Sequence, residues 1–520
     1  MTTKARTIYF SIAVLLLSIS SSLAGQTAEK VPADVFITEE WRKAHYNGVV
    51  ISNIPIEKVT ADEWIENNRT TLAKVKQRIW DLAELSFEEY ESSKILSDLL
   101  AEHGFEIKSG AADMPTAFVA SYGSGRPIIG ILAEYDALPG VSQKAVPRKE
   151  AREDAVNGHA CGHCLFGTAS SAAAIAARYS MEKHGLKGTI RLYGCPAEEL
   201  GAGKIYMSKA GLFDDCDISF HWHSDDKTKV WAGSSKAVIT AKFNFHGLSA
   251  HAAASPHEGK SALDAVELMN IGANFLREHL TEDARIHYVI TNGGDAPNIV
   301  PPEAQVWYFV RADKHSDAVI IFERMLDMAR GAALMTGTTV DWDIGSECPE
   351  LLSNHVLSEL IQKNLELVGA PKFTEAEKMF AAETQKALKG PFEYSLCEVI
   401  EPLVEKPAGL KGSTDVAAVS WLVPTSGLRT ACFTYGASLH SWQVTACGGM
   451  SIGEKGMITA ARTLAFSTVE ALTKPEWIEK AKASFKKQKE GRDFVSLLPE
   501  EYKVPEKNRQ ENRQTQFEKP

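Results

Sequence analysis

The sequence predicts an α/β fold: a mixed, mainly parallel sheet flanked by helices and interrupted by a smaller domain of its own. Three observations predict it. Short apolar strands alternate with helical stretches up to residue 234. Residues 235–345 then carry a complete strand–helix–strand–strand–helix–strand order, the ferredoxin-like pattern. The first alternation resumes over 346–490. At 520 residues the chain exceeds what one ordinary core organises, so more than one domain is expected.

Taken in order, residues 1–24 read as a secretory signal peptide. Lys4 and Arg6 precede an apolar run over 8–17, and Ser22-Leu23-Ala24 offers a small-residue cleavage site. The run is too short for a comfortable membrane span, and no other segment approaches that length. An exported protein, periplasmic or secreted, with no stable span after cleavage is therefore expected. Residues 25–60 read as an irregular leader. Thr60-Ala-Asp-Glu63 reads as a capping box opening a helix to about residue 85, and Ser86-Phe-Glu-Glu89 as a second box opening a helix that stops at Gly104. Strands follow over 105–108, 117–122 and 128–133, the last delivering Glu134-Tyr-Asp136 and a Pro-Gly turn.

A polar insertion over 143–156 leads to an Ala-rich buried helix around 169–177. Further strands over 189–193 and 218–222 end in Pro196-Ala-Glu198-Glu199 and His223. Sites in such sheets form at the carboxyl ends of strands, where Asp136, Glu198, Glu199 and His223 all fall. The inserted domain places strands at 237–245, 286–291, 305–312 and 339–343, with helices over 261–280 and 316–336. Beyond it come helices over 356–368 and 374–388, a strand-like apolar run over 419–423, and a helix over 457–472. The basic run Lys486-Lys487-Gln-Lys489 predicts a docked helix, and the polar 491–520 tail a disordered tip.

Fifty-six Lys and Arg against 67 Asp and Glu leave a net charge of −11, so the electrostatic footprint of a nucleic-acid partner is missing. Gly259-Lys260-Ser261 is no P-loop, because Ala254 stands where that motif needs glycine. No nucleophile elbow, H-E-x-x-H or dinucleotide fingerprint occurs. The eight cysteines are too scattered for a disulfide framework.

The chemistry concentrates in Gly158-His-Ala-Cys161-Gly-His163-Cys164. Two uses are open. His159, Cys161 and His163 suit a soft or borderline metal, whereas Cys161 and Cys164 form a C-x-x-C that suits thiol–disulfide exchange at a helix N-terminus. Outside this stretch, the carboxylates and imidazoles favour the first use. A dinuclear hydrolytic site needs ligands around two ions and one carboxylate left free to handle protons. Cys161, His163, Glu199, His223 and His440 would serve as ligands and Glu198 as the free carboxylate. Adjacent strand residues point to opposite faces, so both glutamates reach one site only if the Pro196 turn breaks the strand.

Leu132-Ala-Glu-Tyr-Asp136-Ala-Leu-Pro139, Gly158-His-Ala-Cys161-Gly-His163, Pro196-Ala-Glu198-Glu199, Trp222-His223, the 245–253 run around His251, Pro297-Asn298-Ile-Val-Pro301, Arg311-Ala312 and Leu439-His440-Ser-Trp442 occur in the order found in the M20 metallopeptidase family. The chain resembles its amidohydrolase branch, subfamily D, from about residue 62 to 491. The resemblance implies a zinc-peptidase-like catalytic domain in two parts, 25–234 and 346–490, with 235–345 as a lid that also dimerises. It implies two divalent metal ions, zinc or manganese, held by Cys161, His163, Glu199, His223 and His440. Glu198 would be the general base, and Asp136 would orient a ligand. His251 would polarise the scissile carbonyl, in its own or a partner subunit's site, and Asn298 and Arg311 would hold substrate. The implied activity is hydrolysis of an N-acyl amino acid, such as p-aminobenzoyl-glutamate, with a dipeptide as the alternative substrate. A homodimer, with room for a related subunit, is the implied assembly. The chain departs from the branch at Cys164, where Asp or Asn is usual, and in the 143–156 insertion.

Overall fold

The computed structural model describes residues 54–404, 409, 411–499 and 504. The signal peptide and most of the leader lie outside them, and no described helix is long and apolar enough to cross a membrane. The described strands are β1 (Glu106–Ser109), β2 (Phe118–Ser124), β3 (Ile128–Glu134), β4 (Gly188–Cys195), β5 (Ile218–Asp225), β6 (Lys229–Trp231), β7 (Ala237–His246), β8 (Arg285–Asn292), β9 (Glu303–Ala312), β10 (Thr339–Cys348) and β11 (Thr425–Ala431). They build two sheets, of order β1-β2-β4-β3-β5-β11-β6 and β10-β7-β9-β8.

In the larger sheet β4, β3, β5 and β11 run parallel, while β1, β2 and β6 add antiparallel edges. β3 and β5 are nearly continuous buried runs, as a parallel sheet covered on both faces requires. The His163–His184 helix lies against β3. Its alanines 172–174, 176 and 177 are fully or almost fully buried, and their small side chains let the Ser451–Thr473 helix pack alongside. The smaller sheet is antiparallel throughout and has its own core. Buried and part-buried residues alternate along β9, and the Ala262–Leu276 and His315–Thr336 helices cover only the face carrying Val306, Tyr308 and Val310.

The structure corrects several local expectations. Thr60 caps nothing. A helix already runs over Ile56–Asn67, into the segment read as a leader, and the Thr60 hydroxyl lies 2.8 Å from His184 Nε2. A second helix, Arg69–Leu82, follows the break at Asn68. The helix expected from Ser86 begins at Tyr90, because the Ser86 hydroxyl donates to Asp136 Oδ2 at 2.9 Å instead. Residues 419–423 are not a strand: Val416–Ser420 is a short helix, and the neighbouring strand is β11. An apolar run of five does not distinguish the two. β10 continues past residue 345 through a register shift to Cys348. Beyond the Glu476–Lys489 helix the tail also packs, with Leu498 buried against Ala202, Ile205, Val238, Cys348 and Ala418.

Candidate metal centre

The carboxyl ends of the parallel strands converge on a cleft of about 1560 Å³ between the two sheets. β3 ends in Glu134 and runs on to Asp136, β4 into Glu198 and Glu199, and β5 carries His223. The strand pattern does break after β4, as both glutamates require: Ala197 takes a left-handed φ of 60°. That turn is pinned by two carboxylates, the Ala197 N–H donating to Glu89 Oε1 at 2.8 Å and the Glu199 N–H to Asp136 Oδ2 at 2.9 Å. His440 also sits at positive φ, 64°, its N–H donating to the Ala160 carbonyl at 2.8 Å. Cys161 is held by Ser224, whose hydroxyl donates to the Cys161 carbonyl at 2.7 Å. Gly162, next in the chain, has φ 78° and no room for a Cβ against Ser224, so only glycine fits there.

Two ligand groups meet on Cys161. Donor atoms of Cys161, His163 and His223 lie within 4.8 Å of one another, as do those of Cys161, Glu199 and His440. Cys161 Sγ is 3.4 Å from His223 Nε2, and His440 Nε2 is 3.2 Å from Glu199 Oε2. His163 Nδ1 lies 2.8 Å from Asp136 Oδ1, which turns Nε2 toward the other donors. A third group joins Glu134, His163 and Glu198. The donor set fits divalent cations. His163 Nε2 and Glu199 Oε1 are buried without a hydrogen-bond partner, a costly state unless a ligand takes them up.

The electrostatics are those of a buried acidic site. Burial pushes the Glu198 carboxyl well above its ordinary value, and the charges of Glu134 and Glu199 add to the rise. Burial, then Glu199, raises the Cys161 thiol. Burial opposes the charged form of His163, yet Cys161 and Asp136 raise its pKa well above the imidazole range. Burial, with His163 and Arg429 nearby, drives His223 far down.

Arg311 lines the same cleft and donates to Ser413 Oγ at 2.7 Å. His251 and Asn298 are not brought there. They sit together on exposed loops, with the Ala252 N–H donating to the Asn298 carbonyl at 3.0 Å, and neither lines the cleft. The reason is the length of β9. Its Glu303 end adjoins their loops and its Arg311 end reaches the cleft, so the strand's ten residues separate the two by about 30 Å.

Sequence reasoning missed Glu134, Glu89 and Lys204. Lys204 is fully buried, with Nζ 2.7 Å from Glu134 and 2.6 Å from Asp415, and nothing in its surroundings in sequence marks it. His159 bonds the Ile79 carbonyl at 3.0 Å and is held neutral, its pKa pushed down by burial to about 4, so it serves the structure. The C-x-x-C pair does not act as one unit. Cys161 faces the cleft, Cys164 packs in the core, and all eight cysteines are unpaired.

Residues 130–496 match the family described as Peptidase family M20/M25/M40. One of the two subunits of the p-aminobenzoyl-glutamate hydrolase of Escherichia coli (strain K12) is 40% identical over 434 residues, 78% of this chain and 90% of that one. The human Xaa-Arg dipeptidase is 29% identical over 86% of this chain and 96% of its own. Among solved structures, a dinuclear metal binding peptidase of the M20 family from Bacillus subtilis has the same fold, with a TM-score of 0.52 at 19% identity over 78% of this chain and 99% of that one.

Proposed function

The chain belongs to the M20 peptidase family and is an amide-cleaving hydrolase; from that premise we propose that it releases glutamate from p-aminobenzoyl-glutamate or a closely related N-acyl amino acid. The observation that carries this is the pair of ligand groups sharing Cys161, with the Glu198 carboxyl beside them and assigned to neither. Support for the substrate is the 40% identity to one chain of a p-aminobenzoyl-glutamate hydrolase.

Cys161, His163, Glu199, His223 and His440 would hold two divalent ions, zinc or manganese, with the thiolate leaning toward zinc. When bound, such ions acidify water and polarise a carbonyl. Glu198 takes the proton of the attacking water and returns it to the departing amine. Asp136 fixes the tautomer and direction of His163. Arg311 offers a planar, bidentate donor to a substrate carboxylate.

His251 and Asn298 enter the reaction from a second subunit. A dimer formed through the smaller sheet supplies His251, which stabilises the carbonyl oxygen as charge develops on it, and Asn298, which holds substrate. The second subunit is another copy of this chain, or a related chain, as the two-subunit make-up of the Escherichia coli hydrolase implies.

The test is chelation followed by add-back of zinc or manganese, with glutamate release measured on p-aminobenzoyl-glutamate beside a dipeptide panel. Metal-restored release from the acyl-glutamate is expected. Turnover confined to dipeptides would transfer the assignment to a dipeptidase, and no turnover with any metal would remove it.

A further inference from the structure

The β7 and β9 residues facing away from the helices of the smaller sheet line the cleft. On β9 these are Trp307, Phe309 and Arg311, alternating with the buried Val306, Tyr308 and Val310. On β7, Lys242 pairs with Trp307 and Thr240 with Phe309. The indole and phenyl rings are only half-buried and sit side by side, centroids 5.3 Å apart. Lys242 Nζ lies 5.5 Å from the indole, and the Arg311 guanidinium 5.6 Å from the phenyl ring. Neither core requires two large aromatics turned toward an open, polar cleft.

We propose that Trp307 and Phe309 form a stacking shelf for a flat aromatic acyl group of the substrate, and so select aryl amides over alkyl amides. This rests on the amidohydrolase reading above and on Arg311 taking the carboxylate.

The spacing fits one amide unit. Arg311 and Phe309 are two residues apart on one strand face, about 7 Å. A trans amide holds the two carbons flanking it about 3.8 Å apart. A carboxylate on one carbon and a ring on the other therefore span nearly the same step. With its carboxylate on Arg311, a substrate lays its ring on Phe309 and against Trp307. Shape alone selects poorly here, because about 1560 Å³ exceeds the roughly 300–1000 Å³ that encloses an ordinary small ligand. A flat, polarised surface selects by stacking, which favours an aromatic ring over a saturated one of equal size.

The experiment compares benzoyl-glutamate with cyclohexanecarbonyl-glutamate on the metal-loaded enzyme, for wild type, Trp307→Leu and Trp307→Phe. Wild type is expected to favour the benzoyl substrate about tenfold in kcat/KM. Trp307→Leu should cut that preference to about twofold by raising KM for the benzoyl substrate, while Trp307→Phe keeps most of it. Leu retains apolar bulk, so a packing role would leave the preference intact or lower both substrates equally, and either result overturns the shelf. A wild type that cleaves both amides equally well also overturns it while leaving the amidohydrolase reading standing. A wild type that cleaves neither removes that reading, and the shelf with it.

Discussion

Asp136 places one carboxylate oxygen 2.8 Å from His163 Nδ1, while its other oxygen accepts from the Glu199 N–H and the Ser86 hydroxyl. A single buried side chain thus orients candidate ligands on two different loops. Asp136→Ala frees both at once. Its expected effect is a fall in metal affinity of about 10–100-fold, read by competition against a chelator of known affinity. An affinity equal to wild type would show that the ligands are held by other means.

Glu198 separates turnover from metal binding. Glu198→Gln keeps the size of the side chain and removes its basicity, so the two ions should remain at wild-type stoichiometry while kcat falls by about 10²–10⁴-fold. Metal content by elemental analysis and glutamate release on the same preparation check this. A Gln variant that turns over normally takes the proton-transfer role away from Glu198.

Much of the site was legible because its residues are chemically conspicuous and sit where strands end. Cys161, His163, Glu199, His223 and His440 were found that way, and the break after Pro196 was anticipated because strand geometry demanded it. Glu134, Glu89 and Lys204 were not, since a glutamate or lysine in sequence looks the same whether solvated or buried in an ion cluster. β11 escaped for the opposite reason. Thr425-Ser-Gly-Leu-Arg-Thr-Ala431 is buried at every position, yet its composition is half polar, because its hydroxyls find partners such as Ser358 and the Gly456 carbonyl. The placement of His251 and Asn298 away from the cleft depends on the length of β9 and on which end faces inward, which no local motif encodes.

The C-x-x-C spacing predicts little redox behaviour in this fold. Cys164 is fully buried and its thiol is pushed up by burial to about 12, so almost no reactive thiolate exists at neutral pH. Activity of the metal-loaded enzyme should survive mild oxidant, and Cys164→Ala should change kcat less than twofold. A Cys161–Cys164 disulfide detected by mass spectrometry after such treatment would contradict this.

Acid stability is tied to Glu470. Its carboxylate joins the Ser451–Thr473 helix to the first described helix through Lys58, 2.5 Å away, and also meets Lys363 at 2.6 Å and Lys474 at 3.0 Å. Burial favours protonation, but these lysines outweigh it and hold the group at about 2, below the ordinary 4.5. A depressed carboxylate stabilises the fold fully above its unfolded value and loses that contribution as pH falls through the folded one. Stability should therefore decline between about pH 4.5 and 2. Glu470→Gln should flatten the decline and cost about 3 kcal/mol at neutral pH by stranding Lys58. Denaturant titrations across that range decide it.

The C-terminal segment fixes how the smaller sheet sits over the cleft. Glu347, fully buried on β10, accepts through one oxygen from the Ser496 hydroxyl and the N–H groups of Leu497, at 2.6 Å, and Leu498, at 3.3 Å. Lys209 donates to the Leu498 carbonyl at 3.1 Å from the helix that follows the Glu198–Glu199 turn. Leu498 fills the space between the two units, so the segment bridges them like a strap. Ending the chain after Arg492 leaves the Glu347 carboxylate buried with most of its donors gone, a penalty of about 1–3 kcal/mol, and opens a cavity at Leu498. The truncated enzyme should melt several degrees lower and show faster amide exchange in β7 and β10, with the metal ligands still in place. Leu498→Ala should reproduce part of the loss and Ser496→Ala less. If exchange in β10 is unchanged by truncation, the two units are held together without the strap.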